Sequence, residues 1–208
     1  DISLILELPP ALQEKLGEIV ERLSRKYSEL IFNRTDKFHT TVIAVVSIPP
    51  AQVNEATPRF NSALAGTIAE VTRRHRLSSI RFKGISLGPN GAGFAEGHMS
   101  DESMFVLRDA LGETFPEPNR GTPFIHSSLF RIGRAMSPQG FAELFREIES
   151  MRKMEIGGFI PIEGELVLTK DDFGLDQAGQ SIIIPLGSSP IRQASVEYKE
   201  FKESEASS

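Results

Sequence analysis

The chain has 208 residues, of which 39% are hydrophobic and 25% charged, and it contains no cysteine. This composition is typical of a globular protein. The lack of cysteine excludes disulfide bonds and thiolate zinc sites. It also fits a reducing compartment, so we expect a cytoplasmic protein. The formal charge of −5 argues against binding to long nucleic-acid duplexes, and no run approaches the roughly 20 apolar residues of a membrane span.

The first 75 residues predict two strand–helix units. Residues 2–8 alternate apolar and polar side chains as a strand does, and an apolar stripe at helical spacing then extends to Tyr27. The β-branched run 38–46 predicts the next strand, and a second helical stripe over residues 58–75 begins at Thr57-Pro58. The chain therefore opens as strand, helix, strand, helix.

Residues 80–97 predict a β-hairpin. Strand character covers 80–87 and 92–97, and the Gly-Pro-Asn-Gly sequence between them is typical of a turn. We expect a helix to follow, capped by Ser100, with two acidic residues in its first turn and its end near Gly112.

The last third repeats the strand–helix order. A proline-rich loop over 115–123 leads to an apolar strand at 124–132, and Ser137-Pro138 predicts the start of a helix that ends at Gly157-Gly158. Its inward-facing stripe consists of Phe141, Leu144, Ile148 and Met151. Residues 160–169 alternate as another strand.

The last predicted strand is 181–186, and the pattern as a whole favours an α+β or α/β sheet fold over a bundle or a sandwich. Roughly four helices alternate with seven or eight strands. We expect one bilobal domain over residues 1–194, followed by a charged tail over 195–208 that is frayed.

A repeated order of elements suggests a duplicated lobe. A histidine-bearing strand (38–46), a helix (58–75) and the step Phe82-Lys83-Gly84 are followed later by a strand (124–132), a helix (138–153) and the step Ile162-Glu163-Gly164. Both steps have the form apolar-x-Gly.

Two of the four histidines lie in nearly the same local sequence, Phe38-His39-Thr40-Thr41-Val42 and Ile125-His126-Ser127-Ser128-Leu129. On a strand, alternate side chains share a face, so each histidine is paired with the hydroxyl two residues later. If the two lobes face each other, these pairs enclose a space suited to a phosphate, with hydroxyls on its oxygens and an imidazole on either side.

A simpler interpretation treats each histidine as a partly buried strand residue. For one such motif this interpretation is the better one, because histidine is commonly half-buried and hydrogen-bonded. Two motifs at matching positions of a repeat require the coincidence twice, so the catalytic hypothesis is favoured.

The two motifs resemble those of the two-histidine (2H) phosphoesterases, a family that includes the RNA 2′,3′-cyclic phosphodiesterases once called 2′-5′ RNA ligases. The second motif of those enzymes, His-x-Thr-Leu-x-Arg, is similar to the segment from His126 to Arg131. At the first motif, Val45-Val46-Ser47 replaces the Phe-Leu-Gly that is frequent in the bacterial RNA enzymes. The resemblance spans about residues 2–187.

The resemblance implies an α+β fold of two antiparallel-sheet lobes with outer helices and a central cleft. It also implies His39 as the catalytic acid, His126 as the base, and Thr41, Ser128 and Arg131 as substrate-binding residues, with no metal and no other cofactor. By strict alternation Arg131 would face away from His126, unless the strand ends or bulges there. The expected partner is an RNA end or a small nucleotide, and we expect a monomer.

Other candidate sites are weaker. His75 follows Arg73-Arg74 at a helix end, where a cation suits the helix dipole, and His98 lies by a turn from which it could line a cleft. No metalloprotease, nucleophile-elbow or phosphate-loop motif is present, and Asp171-Asp172 is a plausible turn.

The hypothesis of first choice is hydrolysis of a 2′,3′-cyclic phosphate. The alternatives are a phosphodiesterase that acts on linear 2′-5′ or 3′-5′ linkages or on nucleotide messengers, and a non-catalytic module that binds a nucleotide or an RNA end. Two intact pairs of histidine and hydroxyl argue against the pure binding module, which has no need of two proton carriers.

Overall fold

The computed structural model describes residues 2–33, 38–46, 60–115, 124–170, 181–186 and 192–194, and within these ranges strands outnumber helices. The helices in these ranges are α1 (Pro10–Ser24), α2 (Ser62–Arg74), α3 (Ser103–Thr114) and α4 (Pro138–Met151). The strands are β1 (Ile2–Glu7), β2 (Leu30–Phe32), β3 (His39–Val46), β4 (Ser79–Leu87), β5 (Ala92–Met99), β6 (Ile125–Ile132), β7 (Ile160–Pro161), β8 (Glu165–Lys170), β9 (Ser181–Pro185) and β10 (Arg192–Ala194).

The strands form two antiparallel sheets. Sheet A has the order β10-β9-β8-β1-β3, and sheet B has the order β2-β6-β5-β4-β7. Helices α2 and α3 contact sheet A, at β9 and β3, whereas α1 and α4 contact sheet B, at β2, β6 and β4. The predicted α+β fold of two antiparallel sheets with helices around them is confirmed.

One cluster of buried apolar side chains draws on both sheets, with Leu4 and Leu168 from sheet A and Phe82 and Phe130 from sheet B among its members. Burial of such side chains is the main source of stability in a fold of this size. None of the helices described has the length and apolar character needed to cross a lipid bilayer.

The repeat has a structural counterpart in which the two sheets exchange roles. In the first copy the histidine strand β3 belongs to sheet A and the glycine step lies in β4 of sheet B. In the second copy the histidine strand β6 belongs to sheet B and the glycine step leads into β8 of sheet A. Both step glycines, Gly84 at φ 82° and Gly164 at φ 103°, adopt a left-handed conformation that favours glycine.

Several local signals are confirmed. The hairpin β4–β5 turns where it was predicted, with the Gly91 N–H donating to the Gly88 carbonyl. Ser137 caps α4, because its side chain accepts a hydrogen bond from the Gly140 N–H at 3.0 Å. The apolar stripe of α1 is buried, whereas on α2 Ile68 is buried and Leu64 and Val71 are half-buried.

The predicted start of α3 and end of α4 were wrong. Helix α3 begins at Ser103 with Glu102 as its N-cap, and Ser100 instead accepts a hydrogen bond from the Ser79 N–H. Helix α4 ends at Met151, before the two glycines, and Phe141 is 44% exposed although its position in the stripe predicted burial.

Residues 160–169 are not one strand. Residues 160–161 pair with β4 in sheet B, and residues 165–170 pair with β1 and β9 in sheet A. The chain changes sheet around Gly164, whose left-handed backbone interrupts the extended conformation even though the apolar alternation continues across it.

Four predictions concern segments outside the described residues. They are the helix start at Thr57-Pro58, nearly all of the loop 115–123, the turn at Asp171-Asp172, and the tail 195–208.

Candidate active site

The two histidine motifs lie on neighbouring strands of different sheets. His39 is the first residue of β3, the edge strand of sheet A, and His126 is the second residue of β6 in sheet B. Strand β3 contacts β6 directly, so the two motifs come together although 87 positions separate them in the sequence.

Burial follows the expected alternation in both motifs. Thr40 and Ser127, which follow the histidines, are only 1% and 0% exposed, and their hydroxyls have no hydrogen-bond partner within the described part of the chain. Thr41 is half-buried and Ser128 is exposed, as predicted for hydroxyls on the same face as the histidines.

Each motif ends in a shift of strand register. On β6, Ser128 lies opposite Phe94 and Phe130 lies opposite Gly93, which leaves Leu129 as an extra residue. On β3, Thr41 lies opposite Ile5 and Ile43 lies opposite Leu4, which leaves Val42 as an extra residue. Both shifts have the form of a β-bulge, and both occur three residues after the histidine.

The bulge on β6 determines where Arg131 lies. Because Leu129 adds one residue, Phe130 turns to the core and is 2% exposed, whereas Arg131 lies opposite Ala92, on the face of Phe94 and Ser128. Alternation without a bulge would have put Arg131 on the opposite face. With the bulge, Arg131 shares a face with His126, and its side chain is exposed.

Two residues hold the carbonyl groups of the bulges. Arg108 of α3 donates from its guanidinium to the Thr41 carbonyl at 2.8 Å and to the Val42 carbonyl at 2.7 Å. Asn33 donates from its side chain to the Ser128 carbonyl at 2.7 Å and from its backbone N–H to the Leu129 carbonyl at 2.8 Å. The two motifs thus have equivalent supports of different chemistry.

Sequence reasoning missed both supports. Arg108 had one usable signal, since it lies on the buried stripe of α3 with Met104, Leu107 and Leu111, where a charged residue needs a specific partner. Asn33 follows the three-residue strand β2 and carried no comparable signal.

His126 has an aromatic environment. The centroid of its ring lies 5.5 Å from that of Phe94 and 5.1 Å from that of Phe124, and the two phenyl rings are 5.3 Å apart. Burial lowers the pKa of His126 below its ordinary value, and the positive charges of Arg108 and His39 act in the same direction. A hydrogen bond with the Phe124 backbone opposes them. The net direction favours a neutral imidazole at pH 7.

The other two histidines have separate positions. His98 lies on the wall of a pocket whose lining also includes Phe94 and Phe124, in line with a place in a cleft. His75 is the C-cap of α2, the helix end at which it was predicted. Among the residues that the structure describes, no group of three histidine or carboxylate side chains is arranged to hold a metal ion.

No protein-family model matches the sequence, and a search of curated proteins found no match either. The fold does match solved structures. One is TT0787 of Thermus thermophilus, with a TM-score of 0.60 and 16% identity over 90% of this chain and 99% of that one. Another is E. coli LigT complexed with NADP+, with a TM-score of 0.51 and 11% identity over 92% of this chain and 96% of that one. The chain therefore has a LigT-like fold.

Proposed function

We propose that this protein is a phosphodiesterase that hydrolyses 2′,3′-cyclic phosphates of RNA ends or nucleotides, with His39 and His126 as a general acid–base pair. The observation that carries the proposal is the correspondence of the two motifs. Each has a histidine, a hydroxyl on the same face and a bulge three residues after the histidine, and the two motifs lie on contacting strands.

The surroundings of His126 suit the role of general base, and His39 takes the complementary role of general acid. The lowered pKa of His126 favours the neutral form that a general base requires, so His126 takes a proton from the attacking water. As the water oxygen bonds to phosphorus, the bond from phosphorus to a ribose oxygen breaks, and protonated His39 donates its proton to that oxygen. The product is a ribose monophosphate with one free hydroxyl.

The charge that develops on the phosphoryl oxygens needs donors. Thr41 and Ser128 lie on the same strand faces as the two histidines, and Arg131 adds a cation on the side of Ser128. Such donors act most strongly when their positions are fixed before the reaction. The supports at both bulges, Arg108 and Asn33, fix the backbone of these hydroxyl residues.

A nucleotide ligand is compatible with this fold, since E. coli LigT was solved in complex with NADP+. The small size of the proposed substrate also suits the net charge of −5, because few cations are needed to bind a single phosphodiester.

The test is an assay in EDTA of 2′,3′-cyclic nucleotides, RNA with a cyclic end, and 2′-5′ oligoadenylate, with products separated by chromatography. We expect cleavage of the cyclic phosphates, and a loss of turnover of about 10²–10⁴ in His39→Ala and in His126→Ala. His75→Ala, at the end of α2, is the matched control and should keep full activity.

Other outcomes decide between the alternatives. Cleavage of the oligoadenylate alone would replace the proposal with a phosphodiesterase for linear linkages. Binding of nucleotides without turnover of any substrate would identify a binding module. Full activity in either histidine variant would refute the acid–base pair.

A further inference from the structure

We propose that the pocket beside His126 binds the nucleobase of the substrate and that Glu96 selects guanine. This inference rests on the proposed function, which concerns only the phosphate, and extends it to the part of the substrate that the histidines do not touch.

The pocket has the size of a small-molecule site. Its volume is about 560 Å³, within the usual range of roughly 300–1,000 Å³. It lies between sheet B and the start of α3. The lining residues are Ser86, Phe94, Glu96, Gly97, His98, Met99, Asp101, Phe105, Phe124 and Ile125.

The pocket continues directly from the histidine site. Phe94 and Phe124 line the pocket and also pack against the His126 ring, at centroid distances of 5.5 and 5.1 Å. A flat ligand in the pocket therefore lies one aromatic ring away from His126, the proposed general base. A nucleoside phosphate has this arrangement, with its base and its phosphate on either side of the ribose.

The walls favour a flat aromatic ligand. Phe105 and Phe124 are each 39% exposed, which is a large apolar surface to leave in water. Nucleobases stack on such rings, and removal of one stacking ring typically weakens binding by roughly fivefold to a hundredfold. The pocket therefore presents stacking surfaces where a base would lie.

Glu96 provides the polar contact that distinguishes one base from another. It lies directly opposite His126 in the β5–β6 ladder, so both side chains occupy the same face of sheet B. The Ser86 hydroxyl donates a hydrogen bond to the Glu96 carboxylate and holds it in the pocket. A carboxylate has about four acceptor sites, and one serine uses only one of them.

A carboxylate only accepts hydrogen bonds, so it prefers bases with N–H donors. Guanine presents N1–H and the N2 amino group side by side, which matches the two carboxylate oxygens. Adenine and cytosine offer one amino group, and uracil offers N3–H between two carbonyl oxygens that repel a carboxylate. Asp101 has less acceptor capacity left than Glu96, since its Oδ1 atom accepts hydrogen bonds from both the Ser78 hydroxyl and the Ser103 N–H.

The test is calorimetric binding of guanosine 3′-monophosphate and uridine 3′-monophosphate, which carry no cleavable diester. We expect the guanosine nucleotide to bind about tenfold more tightly or better. Glu96→Gln should reduce this ratio to about threefold or less, and Phe105→Ala should weaken both nucleotides roughly tenfold. The matched controls are Glu143→Gln and Phe141→Ala, since both residues belong to α4 and neither lines the pocket.

Equal affinity for the two nucleotides, or a ratio unaffected by Glu96→Gln, would overturn the pocket proposal. Hydrolysis of the corresponding 2′,3′-cyclic nucleotides separates this failure from failure of the proposed function. Base-selective binding without hydrolysis would support the pocket and refute the phosphodiesterase. Hydrolysis of both cyclic nucleotides with the same kcat/KM, unaltered by Glu96→Gln, would support the phosphodiesterase and refute the pocket proposal.

Discussion

At the residue scale, adjacent hydroxyls in the two motifs have opposite environments. Thr40 and Ser127 are buried without a hydrogen-bond partner among the described residues, whereas Thr41 and Ser128 share the faces of the histidines. This contrast provides a comparison in which the same chemical change is made one residue apart.

We expect Thr41→Val and Ser128→Ala each to weaken transition-state stabilisation by roughly 2–4 kcal/mol, because they remove donors to the phosphoryl oxygens. Thr40→Val and Ser127→Ala should keep kcat/KM. Removal of a buried hydroxyl that has no hydrogen-bond partner in the described part of the chain should raise the free energy of unfolding by about 1 kcal/mol. Steady-state kinetics and urea unfolding measure the two effects. If the Thr40 variant lost as much kcat/KM as the Thr41 variant, and the Ser127 variant as much as the Ser128 variant, the hydroxyls would act only through packing.

The environment of His126 predicts the acidic side of the pH profile. Its folded-state pKa is lowered, so protonation that inactivates the base occurs only below the ordinary value of about 6.5. We therefore expect the acidic limb of the pH profile of kcat/KM to lie below that value. Arg108→Met removes a positive charge near His126 and should move the limb to higher pH, whereas Arg108→Lys keeps the charge and should leave it in place. An acidic limb well above pH 6.5 in the unmodified protein would contradict His126 as the base.

The two histidines could be chosen as candidates from the sequence because their motif occurs twice, and repetition is visible without a structure. Strand alternation alone put Arg131 on the wrong face, and only the family resemblance indicated it, since its position depends on a bulge that alternation does not reveal. The role of Arg108 depends on its distance from β3, a contact between residues 66 and 67 positions apart in the chain.

At the scale of elements, each histidine strand needs support at its bulge. A bulge leaves backbone groups without partners in the ladder, and an unpaired buried carbonyl is costly. Arg108 supplies two donors at β3 from a side chain that is only 7% exposed. Its guanidinium fits two adjacent carbonyls better than a lysine ammonium does.

We expect Arg108→Met to lower the free energy of unfolding by roughly 2–4 kcal/mol, since two carbonyls lose charged donors. Arg108→Lys should recover part of the stability but not kcat, because a single ammonium does not hold both carbonyls in place. Chemical denaturation and kcat measurements test this. Arg73→Met, an exposed site on α2, is the control and should change stability by less than about 0.5 kcal/mol. If Arg108→Met lowered the free energy of unfolding no more than the control does, the bulge would hold its shape without Arg108.

Most elements were predictable, because periodicity and capping are local properties. The exceptions arise where a long-range contact prevails. Residues 160–169 keep an apolar alternation while the backbone changes sheet, and β2 is too short to give a periodic signal. The Ser100 side chain bonds across to β4 rather than capping α3.

At the scale of the whole molecule, the chain passes repeatedly between the two sheets. Strand β1 of sheet A leads to α1 on sheet B, and β5 of sheet B leads to α3 on sheet A. Neither sheet is built from one continuous stretch of chain, so neither is expected to fold alone. The sequence repeat suggested two lobes, but it did not reveal this exchange, because sheet membership depends on pairing between distant strands.

We expect one cooperative unfolding transition that includes both sheets. The chain has no tryptophan, so Phe105→Trp, on a helix that contacts sheet A, and Phe159→Trp, next to β7 of sheet B, give independent fluorescence reporters. Both substitutions are at partly exposed sites. Guanidinium unfolding should give coincident midpoints for both reporters and for circular dichroism. Midpoints that differ between the reporters would mean that the lobes are separately stable domains.

The two bulges also have a consequence for insertions and deletions. An extra residue in a strand acts like a frameshift, because it reverses which face every later side chain of that strand occupies. Deletion of Leu129 would remove the bulge but leave Phe130 facing the core and Arg131 on the face of Ser128, because Phe130 would then follow Ser128 directly in the alternation. Regular pairing with Leu129 still in the strand would instead turn Arg131 towards the core, and so remove part of the site without altering any residue proposed to contact the substrate. A relative that lacked the extra residue would need its arginine one position away to keep the same face.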